Sequence, residues 1–358
     1  MCGIAGWITA TNSRPPVDWD EVLLKGIRRR GPDDAQVWRR VDGRGGLVHS
    51  RLAIIGTASI GAQPMVDRVD GSVLVFNGEI YNYLEIASEL TAIGERIVGG
   101  SDTEVLLIAL RVWGMDAVAR LRGMFAFAFL DSKHETLHLC RDRLGIKPLA
   151  VFSRDHRIIF ASDPATIANA LGIKKMDQDA LACFLRYSYV SGVQSIFPSI
   201  KIIAPGTRLK VDLSTMSNEV VKYYDLGAQL NDVGESITKN DLQRSVDLHM
   251  RADVPFGILL SGGIDSGVVA ALASRGLPAG GVAPTAYTFT FGKDRDESPL
   301  ARLVCDQYGI RHQVITRPAR DLLENLATAV RCLPQPLADS GISPYEACLL
   351  YTSPSPRD

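Results

Sequence analysis

Several features are scarce in this chain of 358 residues, and each scarcity excludes something. Long apolar runs are missing: no uninterrupted stretch approaches the roughly 18–20 residues that cross a bilayer as a helix. The N-terminus carries no basic segment ahead of an apolar one, so it does not read as a secretory signal. Net charge is only −1 at pH 7, which leaves no broad basic footprint for nucleic acid. Six cysteines, Cys2, Cys140, Cys183, Cys305, Cys332 and Cys348, are scattered without a CxxC pair. That spacing argues against a zinc site or a disulfide framework and fits a reducing, cytoplasmic setting. No internal repeat is evident. What remains is ordinary globular composition, 46% hydrophobic and 22% charged, in a length suited to two domains.

What is present begins at residue 2. The opening "MCGIAGWI" puts a cysteine directly behind the methionine. With that methionine removed, Cys2 carries both a thiol and a free α-amine, and the amine can serve as the general base. An α-amine has a reference pKa of roughly 7.7–8.0, so a useful fraction is neutral near pH 7. Taken alone, Cys2 is equally well a small buried hydrophobe.

Residues 1–165 read as short β segments with helices between them, a mixed α+β texture with mainly antiparallel pairing. "SVLVF" (Ser72–Phe76) is an apolar strand that ends at Asn77-Gly78, a turn signal. "MFAFAFLD" (Met124–Asp131) and "TLHLC" (Thr136–Cys140) form a hairpin around the polar "SKHE", and a helical face runs from Thr103 to Val112. Polar stretches near Asp212–Asn218 and Ala228–Asn240 read as linkers. Beyond them the texture changes. A helix with Leu242, Val246 and Met250 on one side precedes the strand "FGILL", a glycine-rich loop and the helix "GVVAALA". The strand "AYTFTF", the helix "SPLARLVCDQYG" and the strand "RHQVI" follow, an alternation that specifies a parallel sheet with crossovers. The last residues, "CLLYTSPSPRD" (348–358), break the pattern and read as a translated sequencing adapter, or else as a disordered tail.

Six stretches follow Cys2 in order: "RRRGPDD" (Arg28–Asp34), "HSRLAIIG" (His49–Gly56), "FNGEIYNY" (Phe76–Tyr83), "GSDTEV" (Gly100–Val105), "LRGMFAFAFLD" (Leu121–Asp131) and "RDRLGIKPL" (Arg141–Leu149). The series resembles the class II glutamine amidotransferase domain of the N-terminal-nucleophile type, over almost all of residues 1–210. The resemblance implies an αββα sandwich, with Cys2 as the nucleophile that attacks the glutamine side-chain amide. It implies Asn77 and Gly78 as the oxyanion hole, Arg51 as the clamp on the glutamine α-carboxylate, and Glu79 and Asp102 as the groups that receive its α-ammonium. The chemistry is sound: amide donors stabilise a developing oxyanion, and a guanidinium grips a carboxylate in bidentate fashion. Each residue also has a plainer reading alone: Asn77-Gly78 a hairpin turn, Arg51 a surface ion pair, Asp102 a helix cap.

"ILLSGGIDSG" (Ile258–Gly267) is a strand, a glycine-rich turn and a helix start, an arrangement that binds anions. It lacks the lysine of a Walker loop and resembles the pyrophosphate loop of ATP pyrophosphatases. That resemblance implies ATP held by Leu260, Ser261, Gly262, Gly263, Asp265, Ser266 and Phe291, with Mg²⁺ on Asp265. Together the two halves, over residues 1–347, resemble the glutamine-hydrolysing asparagine synthetases. The family places ammonia from glutamine on ATP-activated aspartate, giving asparagine, glutamate, AMP and pyrophosphate. Its partners here are glutamine, ATP, and aspartate or another carboxylate. The resemblance implies neither a nucleic acid nor a membrane and is compatible with a homodimer. A non-catalytic protein derived from the enzyme is the other alternative.

Two departures stand out. "RHQVI" lacks the His-His-Glu type sequence usual at that strand, and the family's later Gly-Glu-Gly-Ala-Asp-Glu type loop and catalytic lysine do not occur before residue 347. The expected organisation is therefore a glutaminase domain at 1–212, a linker at 213–238 and a partial parallel-sheet domain of the adenine-nucleotide-hydrolase kind at 239–347. A sheet cut short would expose an edge and apolar faces.

Overall fold

The structure, a computed structural model, describes residues 2–10, 18–56, 59–229, 236–276, 284–290, 296–316, 330 and 333–338. The chain divides into two compact units, residues 1–232 with 333–358, and residues 233–332. Among the described residues no helix is long and apolar enough to cross a membrane.

In chain order the strands of the first unit are β1 (Gly3–Thr9), β2 (Asp34–Arg39), β3 (Gly45–Arg51), β4 (Met65–Val66), β5 (Val73–Ile80), β6 (Gly123–Asp131), β7 (Thr136–Arg141), β8 (Ala150–Arg154), β9 (Arg157–Ala161), β10 (Ile200–Ile202), β11 (Thr207–Asp212) and β12 (Asn218–Lys222). Its helices are α1 (Trp19–Ile27), α2 (Tyr83–Ala92), α3 (Asp102–Trp113), α4 (Ala117–Arg120), α5 (Pro164–Leu171), α6 (Gln178–Tyr187) and α7 (Leu226–Gln229). The strands form two six-stranded antiparallel sheets, ordered β10-β8-β9-β1-β3-β2 and β12-β11-β7-β6-β5-β4.

Side chains alternate across a strand, and that alternation builds the layers. On β6, Ala126, Ala128 and Leu130 join Ile4, Ile8, Leu47, Val73 and Val75 in the core between the sheets. Phe125, Phe127 and Phe129 point the other way, onto Ile86, Leu90, Leu106 and Leu110 of α2 and α3. Small residues let the sheets approach, while each buried phenylalanine contributes about 1.5–3 kcal/mol beneath the helices. On the opposite outer face, Trp19, Leu23 and Ile27 of α1 and Ile167 of α5 cover Ala5, Trp7, Val48 and Ile159. The result is the αββα sandwich expected from the sequence.

Two local expectations are corrected. Asn77-Gly78 is not a turn: β5 runs through it to Ile80, pairing Asn77 with Ala126 and Gly78 with Phe125. Cross-strand pairing along all of β6 outweighs the local turn preference. The stretch Asp212–Asn218 is not a linker but the turn of a β11–β12 hairpin, tied by the Asp212 carboxylate to the Ser214 and Thr215 N–H groups at 3.0 and 2.8 Å. Farther on, Leu337 bridges to Tyr189, within the same unit.

The second unit comprises α8 (Lys239–His249), β13 (Gly257–Leu259), α9 (Ile264–Arg275), β14 (Thr285–Thr290), α10 (Ser298–Tyr308) and β15 (His312–Thr316). The three strands form a parallel sheet in sequential order, as the alternation of strands and helices requires. Val246 and Met250 pack on its core, whereas Leu242, from the same expected face, is 47% exposed. Ile264, Leu300 and Leu303 are also exposed. Phe291 and residues 348–358 lie outside the described residues.

Candidate functional site

Strand alternation also aims the polar residues. Cys2 shares the face of Ile4, Arg51 that of Leu47, and Asn77 that of Val75, and all three of those partners belong to the inter-sheet core. Gly3 pairs with Ser50, so Cys2 and Arg51 are neighbours on adjacent strands. At this end the sheets open into a cavity of about 420 Å³, within the usual range for a small-molecule site. Cys2, Arg51, Asn77, Gly78, Glu79 and Asp102 all line it, so the six residues expected of the first half converge.

Each is held differently. The Cys2 sulfur accepts the Leu52 N–H at 3.4 Å and its thiol donates to the Leu52 carbonyl at 3.5 Å. Burial pushes the thiol pKa up, the Leu52 N–H and the Arg51 charge oppose the rise, and Asp102 adds to it. Arg51 is 6% exposed and donates to the carbonyls of Gly56 and Ile55. Gly78 is required by space: a Cβ there would lie 2.1 Å from the Met124 carbonyl oxygen. Asn77 is 1% exposed, and neither its Oδ1 nor its Nδ2 has a hydrogen-bond partner among the described residues. An unsatisfied buried amide is costly, so it marks a place built for a ligand.

Asp102 is 4% exposed at the first position of α3. It is not the cap of that helix: Ser101 is, its hydroxyl accepting the Glu104 N–H at 3.2 Å. Asp102 instead accepts the Ile80 N–H at 3.2 Å. Burial raises its pKa from 3.8 to about 7, the charge of half-buried Glu79 adds to the rise, and hydrogen bonds from Ile80 and Thr103 oppose it. A carboxyl group so poised gains from an incoming cation.

In the second unit the loop before α9 is ordered by its own side chains. The Ser261 and Ser266 hydroxyls are 2.8 Å apart, and the Gly263 N–H donates to Ser261 Oγ at 3.2 Å. The Gly262 N–H donates to the Glu297 carboxylate at 3.1 Å, so the loop already presents a backbone donor to an oxyanion. Leu260 is buried and its carbonyl accepts the Thr288 hydroxyl at 2.7 Å, which pins the loop to β14. Asp265 is exposed in the first turn of α9. Among the described residues no group of three or more His, Cys, Asp or Glu is arranged for a metal ion.

Sequence reading missed several cavity residues: Gln63, Thr103, Met124 and Lys147. Gln63 Oε1 accepts the Phe76 N–H at 2.6 Å and so steadies β5 just before Asn77. No sequence spacing links any of these residues to Cys2.

The chain matches the model of a glutamine amidotransferase domain over residues 1–224 and that of asparagine synthase over residues 238–351. It is 32% identical, over 96% of its own length, to a putative glutamine-hydrolysing asparagine synthetase of Mycobacterium bovis, and spans 56% of that relative. It is 30% identical, over 97% of its length, to a second such protein from Methanocaldococcus jannaschii, of which it covers 71%. Among solved structures it is similar to the glutamine phosphoribosylpyrophosphate amidotransferase of Bacillus subtilis, with TM-score 0.48 and 16% identity over 90% of this chain and 70% of that one. The match of both halves, in order, to the two family models and to the Methanocaldococcus jannaschii protein assigns the chain to the family of glutamine-hydrolysing asparagine synthetases.

Proposed function

We propose that this chain hydrolyses glutamine at Cys2, as the ammonia-releasing half of a synthetase that amidates an ATP-activated carboxylate, with aspartate as the acceptor. The observation that carries the reading is the unpartnered amide of Asn77 in the cavity that also holds Cys2 and Asp102. In this reading, removal of Met1 frees the Cys2 α-amine. The thiol proton passes to that amine and the sulfur attacks the glutamine amide carbon. The Asn77 side-chain N–H and the Gly78 backbone N–H receive the negative charge on oxygen. The α-ammonium returns the proton to the leaving nitrogen, ammonia departs, and water hydrolyses the thioester to glutamate. Arg51 holds the substrate α-carboxylate, while Glu79 and Asp102 receive its α-ammonium.

For the second half we propose ATP at the loop Ser261–Ser266. The Gly262 N–H donating to a carboxylate supports an anion there. When bound, ATP supplies the leaving group that activates the acceptor. Asp265 brings one carboxylate, which suits a Mg²⁺ ion whose other ligands are phosphate oxygens and water.

The test is glutamate release from glutamine, with Met1 removal verified by intact mass. The wild-type chain is expected to release glutamate and Cys2→Ala to release none. No release from folded, processed wild-type protein would overturn the proposal, as would equal release from the variant.

A further inference from the structure

Lys147 belongs to the Arg141–Leu149 stretch, to which the reaction above assigns no part. Its residue is 5% exposed and lines the same cavity as Cys2. The loop that carries it is tied down tightly. The Asp142 carboxylate accepts the N–H groups of Leu144, Ile146 and Lys147 at 3.1, 2.9 and 2.9 Å. The Arg141 guanidinium donates to the carbonyls of Gly145, Lys147 and Ile203 at 2.6, 2.8 and 2.7 Å. Among the described residues, the Lys147 ammonium has no hydrogen bond or ion pair. A cation on a largely buried side chain, lining the cavity with no partner among the described residues, points to an anion that forms or arrives there.

We propose that Lys147 is a positioning residue whose ammonium stabilises the Cys2 thiolate across the cavity. The inference rests on the reading of Cys2 as nucleophile. The proton leaves the sulfur for the α-amine, and Lys147 keeps its own proton throughout. Arg51, the other cation lining the cavity, already donates to the carbonyls of Ile55 and Gly56. The remaining charged and titratable neighbours are Arg30, which donates to the Cys2 carbonyl at 3.1 Å, together with His49, Glu79, Asp102 and Asp142. Glu79 and Asp102 disfavour a thiolate; buried His49, its pKa near 4, is neutral at pH 7 and contributes no charge. Burial lowers the Lys147 pKa, while Glu79, Cys2 and Asp142 oppose that fall. By reciprocity, an anionic sulfur that favours the ammonium is favoured by it.

The experiment is the rate of Cys2 alkylation by iodoacetamide between about pH 5 and pH 10, followed by peptide mass spectrometry in wild type, Lys147→Met and Lys147→Arg. The Met variant is expected to move the midpoint up by about one pH unit, so that alkylation at pH 7 falls about tenfold. The Arg variant is expected to keep the wild-type midpoint. An unmoved midpoint in Lys147→Met overturns the proposal, and so does an equal shift in both variants, which would assign the effect to shape rather than charge. If the Met variant loses its cooperative melt, Lys147→Gln repeats the comparison with the same two outcomes. Alkylation needs no turnover of glutamine, so failure of the glutaminase reading would register separately, in the Cys2→Ala assay.

Discussion

Asn77 on β5 stands directly opposite Ala126 on β6, and the small partner leaves the Asn77 amide facing the inter-sheet cavity. That pairing keeps the amide buried and its two polar atoms unbonded among the described residues. Asn77→Ala is therefore expected to lower kcat for glutamine hydrolysis by about 10²–10³, the usual loss of one oxyanion donor. Its melting temperature is expected to stay level or rise, because a buried unsatisfied group costs about 1–3 kcal/mol. Kinetics and a thermal melt on the same preparation check both. A lower melting temperature with unchanged kcat would make Asn77 structural.

Asp102 gives a pH dependence. Its carboxyl titrates near 7, and an α-ammonium ligand needs the ionised form. Below about pH 7, binding must first remove a proton, so KM for glutamine is expected to rise about tenfold for each pH unit. Asp102→Asn is expected to have a high KM that no longer varies across this range. A wild-type KM that is flat across about two pH units below pH 7 would contradict the role. The same group affects stability. The folded chain holds this proton between pH 3.8 and about 7 while the unfolded chain has lost it, so stability falls as pH rises through that window.

His49 and His138 act in the opposite direction. His49 Nε2 lies 3.3 Å from the Phe76 carbonyl oxygen, a contact that favours the charged ring but does not outweigh its burial, and His138 Nδ1 accepts from Arg208 at 3.2 Å, which only a neutral ring can do. Burial lowers each pKa from 6.5 to about 4, with Arg51 and Arg208 adding to the respective shifts. Between these values the unfolded chain binds more protons than the folded one. The stability they contribute is complete above pH 6.5 and is lost as pH falls toward 4. Melts across this range should show a falling midpoint on acidification, steeper in Asp102→Asn, whose opposing contribution is gone, and shallower in His138→Gln. Identical slopes in all three proteins would refute the assignment.

Sequence alone determined the strands and helices whose pattern is local. Phenylalanine and alanine alternate along "FAFAF" (Phe125–Phe129), which fixes β6 and assigns its two faces, since side chains repeat every second residue. The order of short motifs behind Cys2 was also legible. Tertiary structure decided the rest, because its causes lie far away along the chain. Asn77-Gly78 carries a turn signal, but pairing with β6 made it strand interior. Ser101 took the cap that Asp102 was equally able to fill, which left the Asp102 carboxyl facing the cavity. Lys147 had no readable link to Cys2, because only the packing of one sheet on the other brings their side chains to the same 420 Å³. Periodicity acts over a few residues and so records which face a residue occupies; which faces meet is set by the burial of the whole inter-sheet core.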